Sequence, residues 1–161
     1  MSLESFLNKV FDKKTIKRTH HVFPLKDYCF RNKDLIEGIK VILSKSMTMS
    51  KITDKFEKIF SKKMEANNSS MVNSGSSANF LALQCLINPS RKNKLKQGDE
   101  VLVPAVCWPT TFWPIIQSGL KPVFVDVDKD TFNMCLDDLE KKITKKTKAI
   151  MLIHVLGNST N

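Results

Sequence analysis

Asn73-Ser74-Gly75-Ser76-Ser77-Ala78-Asn79 joins a short apolar, strand-like approach, Met71-Val72, to the helix-periodic run Phe80-Leu81-Ala82-Leu83. A glycine at this point lets the backbone turn tightly and approach a ligand closely. The first amides of a helix have no partner within it, and the positive end of the helix dipole stands behind them. With serine hydroxyls alongside, such a turn suits a dianionic phosphate. Two readings fit these residues. One is a phosphate cradle at Gly75, Ser76 and Ser77; the other is a serine N-cap that closes a purely structural strand-to-helix turn.

The residues downstream favour the cradle. Gly98-Asp99-Glu100 launches the apolar run Val101-Leu102-Val103-Pro104, and further strands are predicted over Pro122–Val127 and Ala149–His154. Helix-compatible stretches, Thr110–Ser118 and Leu136–Ile143, lie between them. Continuously apolar strands that alternate with helices imply an α/β architecture, a mostly parallel sheet covered on both faces. Ligands of such sheets sit at the carboxyl ends of the strands. The cradle, Ala105–Trp108 and His154–Asn158 are all predicted at such ends, so three loops are expected to converge on one crevice.

These segments also carry a family resemblance. The run from Asn73 to Asn79, Gly98–Ala105, Trp108-Pro109-Thr110-Thr111, Gly119–Val127, Thr147–Ile150 and His154-Val155-Leu156-Gly157-Asn158 resemble the DegT/DnrJ/StrS family in order and spacing. That family comprises sugar aminotransferases and related deoxysugar dehydrases that use pyridoxal 5'-phosphate, which cycles through pyridoxamine phosphate. The likeness runs from about Phe23 to the last residue. It implies the aspartate-aminotransferase-type large domain (fold type I), here its amino-terminal portion.

By resemblance, Gly75, Ser76 and Ser77 hold the cofactor phosphate, Trp108 lies flat against the pyridine ring, and Asn158 stands close to the cofactor. Offset stacking of a planar heterocycle on an indole is physically favourable, and an asparagine both donates and accepts hydrogen bonds. Each residue has a plainer reading as well. Trp108 also reads as a core tryptophan, as does Trp113; Thr110 and Thr111 also read as helix-start residues; and His154, at the end of an apolar strand, reads as a partly buried structural histidine rather than a proton carrier.

The resemblance further implies a Schiff-base lysine, or in the dehydrase branch a histidine, and a carboxylate paired with the pyridinium nitrogen. In the family both lie further along than Asn161. No catalytic residue is therefore assigned, and the chain by itself is predicted to be an inactive amino-terminal piece or a truncated remnant. The function implied is transamination of a nucleotide-linked keto-sugar in polysaccharide or glycan biosynthesis, with 3-dehydration of a deoxysugar as the alternative. Expected partners are the nucleotide-sugar, an amino-acid amino donor and, from the family, a second copy in a homodimer.

Ahead of the sheet, two amphipathic helices are predicted. One spans Asp34–Lys45 with Asn32 as N-cap and a stripe of Leu35, Ile36, Ile39, Ile42 and Leu43. The other spans Ile52–Met64 with Ile52, Phe56, Ile59, Phe60 and Met64. Between them Ser46–Ser50 is either a plain loop or, by resemblance, a segment near the active site. The organisation read from sequence is a flexible lead-in over 1–22, a helical segment over 23–66 and a partial cofactor-binding α/β domain over 67–161.

Composition excludes more than it assigns. Lys and Arg number 26 against 16 Asp and Glu, a formal net charge of +10. The basic residues are scattered along helix faces and loops without aromatic interleaving, so a solvated surface is expected rather than a nucleic-acid interface. That surface is expected to help attract phosphorylated sugars. Cys29, Cys85, Cys107 and Cys135 are far apart, show no metal-ligand spacing and read as reduced thiols. Neither a signal peptide nor an apolar run of about 18 residues is present, which points to a cytoplasmic protein without a membrane span.

Overall fold

The structure, a computed structural model, describes residues 2–10, 30–46, 48 and 50–160. It divides into two compact units, Met1–Met71 and Val72–Asn161. Met47 and Met49 of the segment between the two predicted helices, and Cys29, lie outside the described residues.

The first unit is helical: α1 (Leu3–Val10), α2 (Asn32–Leu43) and α3 (Lys51–Lys63). Leu7 of α1 and Ile36 of α2 are buried, and the Asn32 side-chain amide donates to the Asn8 side-chain Oδ1 at 3.0 Å. Part of the expected lead-in is thus helix α1, while residues 11–22 lie outside the described residues. The N-cap of α2 is Arg31 rather than Asn32, because Asp34 reaches back to accept from the Arg31 amide at 2.9 Å. This return contact satisfies a donor that the helix itself cannot. Ser50 caps α3 by accepting from the Thr53 amide. The stripe on α3 is where expected, yet Ile52, Phe56, Ile59, Phe60 and Met64 are all exposed, with Phe56 and Phe60 stacked on each other.

The second unit carries the sheet. It runs α4 (Gly75–Ile87), β1 (Glu100–Pro104), α5 (Pro109–Gln117), β2 (Lys121–Val125), α6 (Leu136–Lys142), β3 (Thr147–Ile150) and a 3₁₀ turn over Val155–Gly157. The strand order is β2-β1-β3, all parallel, with Val101 opposite Pro122 on one side and Ala149 on the other. β1 is buried at every residue, as a central parallel strand must be. Its side chains alternate between two cores. Val101 and Val103 pack with Leu83 of α4 and with Ile115 and Leu120. Leu102 packs on the other face with Val125, Met134 and Leu139 of α6. Both faces are therefore covered by helix.

Two expectations fail, for one reason. Met71-Val72 forms no strand, and the predicted Ala149–His154 strand ends at Ile150. A strand is fixed by the ladder it joins. Among the described residues no strand pairs with 71–73, where the Met71 amide donates instead to the Glu57 carboxylate at 2.7 Å, and beyond Ile150 the ladder to β1 continues only through the Met151 amide, which donates to the Leu102 carbonyl at 2.8 Å. Ile150 and Leu152 are left about half exposed on this edge.

At the start of β1 the buried Glu100 carboxylate accepts from the Thr144 hydroxyl at 2.7 Å and from the Lys121 ammonium at 3.1 Å. These contacts, the Thr144 bond foremost, hold its pKa below the ordinary glutamate value. A carboxyl depressed by folding stabilises the native state above its unfolded pKa, and that contribution disappears as pH falls through the folded one. Stability measured against pH should thus fall less steeply on the acid side for Glu100→Gln than for the parent chain. Parallel acid limbs in urea titrations would contradict this.

Candidate cofactor-phosphate site

The predicted turn forms at the start of α4, by a route that differs from the sequence reading. Ser74 has extended backbone and is the N-cap; its hydroxyl oxygen accepts from the Ser77 amide at 3.2 Å, and its carbonyl from the Ala78 amide at 3.0 Å. Gly75 is the first helical residue, with no left-handed backbone, so it does not make the turn. Its contribution is space, since a Cβ added there would meet nothing within 4 Å. The Gly75 and Ser76 amides and the Ser76 hydroxyl have no hydrogen-bond partner among the described residues, and Gly75 and Ser76 are exposed. Two aligned free amides, a free hydroxyl and an open approach at a helix N-terminus fit a phosphate. The N-cap reading holds at the same time, because Ser74 caps while Gly75 and Ser76 remain unspent.

Trp108 sits four residues beyond β1, at the N-cap of α5, and is 73% exposed. That exposure removes the core reading and leaves an indole face available for stacking. Trp113, expected in the core, is half exposed on α5 and meets Phe112 edge-on. Thr111 is buried and its amide bonds to the Trp108 carbonyl at 2.9 Å, the helix-start role. Cys107 packs against the core beneath, and burial pushes its thiol pKa up. The second turn of α4 and the first turn of α5 are joined directly, as the Asn79 side-chain amide donates to the Thr110 carbonyl at 3.2 Å. Gln84 and Ser118 join them again further along, at 3.0 Å.

Asn158 belongs to a different neighbourhood. Its carbonyl accepts from the Asn133 side-chain amide at 3.2 Å, and the Asn133 side-chain oxygen accepts from the Val155 amide at 3.0 Å. A concavity of about 400 Å³ beside it is lined by Asp128, Thr131, Asn133 and Asp137 among others, and by no cradle residue. The structure therefore joins two of the three expected loops, the cradle and the Trp108 turn. None of the described hydrogen bonds ties Asn158 to either. His154 is exposed rather than partly buried, and its Nδ1 accepts from the Thr160 amide at 3.1 Å, a structural role. Asn79 and Asn133 are not singled out by sequence reasoning. Their partners lie 22 to 31 residues away, and no periodicity marks them.

Among the described residues no group of His, Cys, Asp and Glu is placed to hold a metal ion, and no helix is long and apolar enough to cross a membrane.

A parallel α/β sheet preceded by an open helix start, with an exposed tryptophan after the next strand, places the chain with the fold type I pyridoxal-phosphate enzymes. More narrowly, the chain belongs to the DegT/DnrJ/EryC1/StrS aminotransferase family, whose profile matches residues 30–161. It is 44% identical over 136 residues to a GDP-4-keto-6-deoxy-D-mannose 3-dehydratase of Yersinia pseudotuberculosis, covering 84% of this chain and 34% of the relative. It is 38% identical over 104 residues to a GDP-perosamine synthase of Escherichia coli O157:H7, covering 65% and 27%. The solved E. coli GDP-4-keto-6-deoxy-D-mannose 3-dehydratase with bound hydrated pyridoxal phosphate superposes with a TM-score of 0.80 at 37% identity, covering 86% of this chain and 36% of that one. The chain thus spans about a third of the length of the relatives it matches.

Proposed function

We propose that the free amides of Gly75 and Ser76 grip the phosphate of pyridoxal 5'-phosphate together with the Ser77 hydroxyl, whose oxygen accepts from Ser74 and whose proton is left to donate, that Trp108 covers one face of its ring, and that Asn158 contributes a polar contact near it. The observation that carries this reading is the open start of α4, where two amides and a hydroxyl stand unpartnered in a family that depends on this cofactor. When bound, the cofactor supplies an electron sink for bonds broken beside a sugar carbonyl. The residues of this chain do the holding. The α4 amides fix the anion, the indole fixes the ring plane and keeps water from that face, and neither moves a proton. No residue of 1–161 is assigned as the covalent lysine, the histidine base or the ring-pairing carboxylate, so residues 1–161 alone are expected to bind without turning over.

For the whole protein, the substrate class is a nucleotide-linked 4-keto-6-deoxysugar, and the reaction is loss of the C3 hydroxyl. The sequence alone put transamination first. Dehydration moves ahead because the 3-dehydratase relative is the more similar of the two described and matches over the longer stretch. Transamination at C4, with an amino acid as donor, is the second reading and uses the same grip. A cytoplasmic location, a homodimer, and attraction of the sugar phosphates by the basic surface complete the proposal. The test is product mass. The whole protein given GDP-4-keto-6-deoxymannose, pyridoxamine phosphate and glutamate should release a 3-deoxy sugar without nitrogen. A 4-amino sugar would establish the second reading, and no binding of the cofactor at all would overturn both.

A further inference from the structure

Helix α5 contains a proline, Pro114, in its interior. Proline has no N–H, so the carbonyl four residues earlier, that of Thr110, loses the donor that an α-helix would give it. The Asn79 side-chain amide fills that vacancy at 3.2 Å, reaching from the second turn of α4. A part-buried carbonyl left without a donor carries a desolvation penalty, so this bond is worth more than an exposed one. It also joins the two features that the proposed site needs. Asn79 is four residues from Gly75 on α4, and Thr110 is two residues from Trp108 at the start of α5.

Resting on the cofactor reading above, we infer that Asn79 is a positioning residue: by occupying the acceptor that Pro114 leaves free, it sets the Trp108 indole in register with the anion-binding amides of α4. Asn79 touches neither phosphate nor ring. Its substitution should weaken what binds through both features and spare what binds through the amides alone.

The experiment uses two probes, inorganic phosphate and pyridoxamine 5'-phosphate. Binding is read from the amide resonances of Gly75 and Ser76 and from Trp108 emission in a Trp113→Phe background. For Asn79→Ala the expected result is an unchanged phosphate affinity and a five- to tenfold weaker affinity for pyridoxamine phosphate, about the worth of one positional hydrogen bond. Gln84→Ala removes the other link between α4 and α5 and should change neither probe by more than about twofold. Pro114→Ala separates positioning from stability, because it returns an N–H to the Thr110 carbonyl. In that background Asn79→Ala should cost less stability, yet the selective loss of pyridoxamine phosphate binding should persist. Equal weakening of both probes, or a loss cured by Pro114→Ala, would reduce Asn79 to a structural residue. No response of the Gly75 and Ser76 amides to phosphate in the parent chain would overturn the cradle itself, and the positioning role with it.

Discussion

Gly75→Asp is expected to abolish binding of pyridoxamine 5'-phosphate and leave the fold intact or slightly more stable. The backbone tolerates a side chain at this position, because it is not left-handed and a Cβ there meets no atom within 4 Å. A carboxylate in the first turn also complements the helix dipole, which adds about 0.3–1 kcal/mol of stability. The same carboxylate would lie where the phosphate is proposed to sit. Two like charges about 4 Å apart near a protein surface repel by roughly 4 kcal/mol, so a dianion should bind at least about a hundredfold more weakly. Calorimetric titration and urea unfolding of the same variant measure both effects. If affinity survived while stability fell, the start of α4 would be a structural turn and nothing more.

Asn133→Ala should be the most damaging single change on the opposite side of the sheet, at about 2–4 kcal/mol. The side chain is 5% exposed and uses both ends of its amide, accepting from Val155 and donating to Asn158. Between those anchors the backbone is strained. Leu156 is left-handed at φ 53° with a fully exposed side chain, and Gly157 follows at φ 81°. A non-glycine residue in that region persists only when its surroundings hold it. Removing Asn133 should therefore release the turn, seen as faster hydrogen exchange at Val155 together with a lower urea midpoint. A change below about 0.5 kcal/mol would mean that the turn holds itself. A domain of ordinary stability has about 5–15 kcal/mol to lose, so the expected cost is a large share of it.

The fold was legible where local chemistry and pairing agree. Val101–Pro104 and Pro122–Val127 are runs set off by glycines; the first became a ladder strand throughout, and the second did so only as far as Val125. Met71-Val72 and Met151–His154 have similar composition, but a strand also needs a neighbour, and sequence does not show which neighbours are present. The turn into α4 was legible in position and not in mechanism: Ser74 makes it, and Gly75 leaves open space beside it. Trp108 left two readings open, and its exposure argues against the core one. Asn158 was placed by resemblance, and the structure ties it to Asn133 and not to the cradle. Asn79 stands within the motif that opens the reading, yet its partner is the carbonyl freed by Pro114, 31 residues from it. A proline inside a predicted helix is the sequence signal that some polar group must reach back to that carbonyl.

The central claim is that the open start of α4 and the Trp108 indole together hold the phosphate and ring of one cofactor. A crystal structure of residues 1–161 grown with pyridoxamine 5'-phosphate tests it most directly. The account predicts phosphate density against the Gly75 and Ser76 amides with the ring lying on Trp108; density for the cofactor at any other place, with that helix start bare, would contradict it.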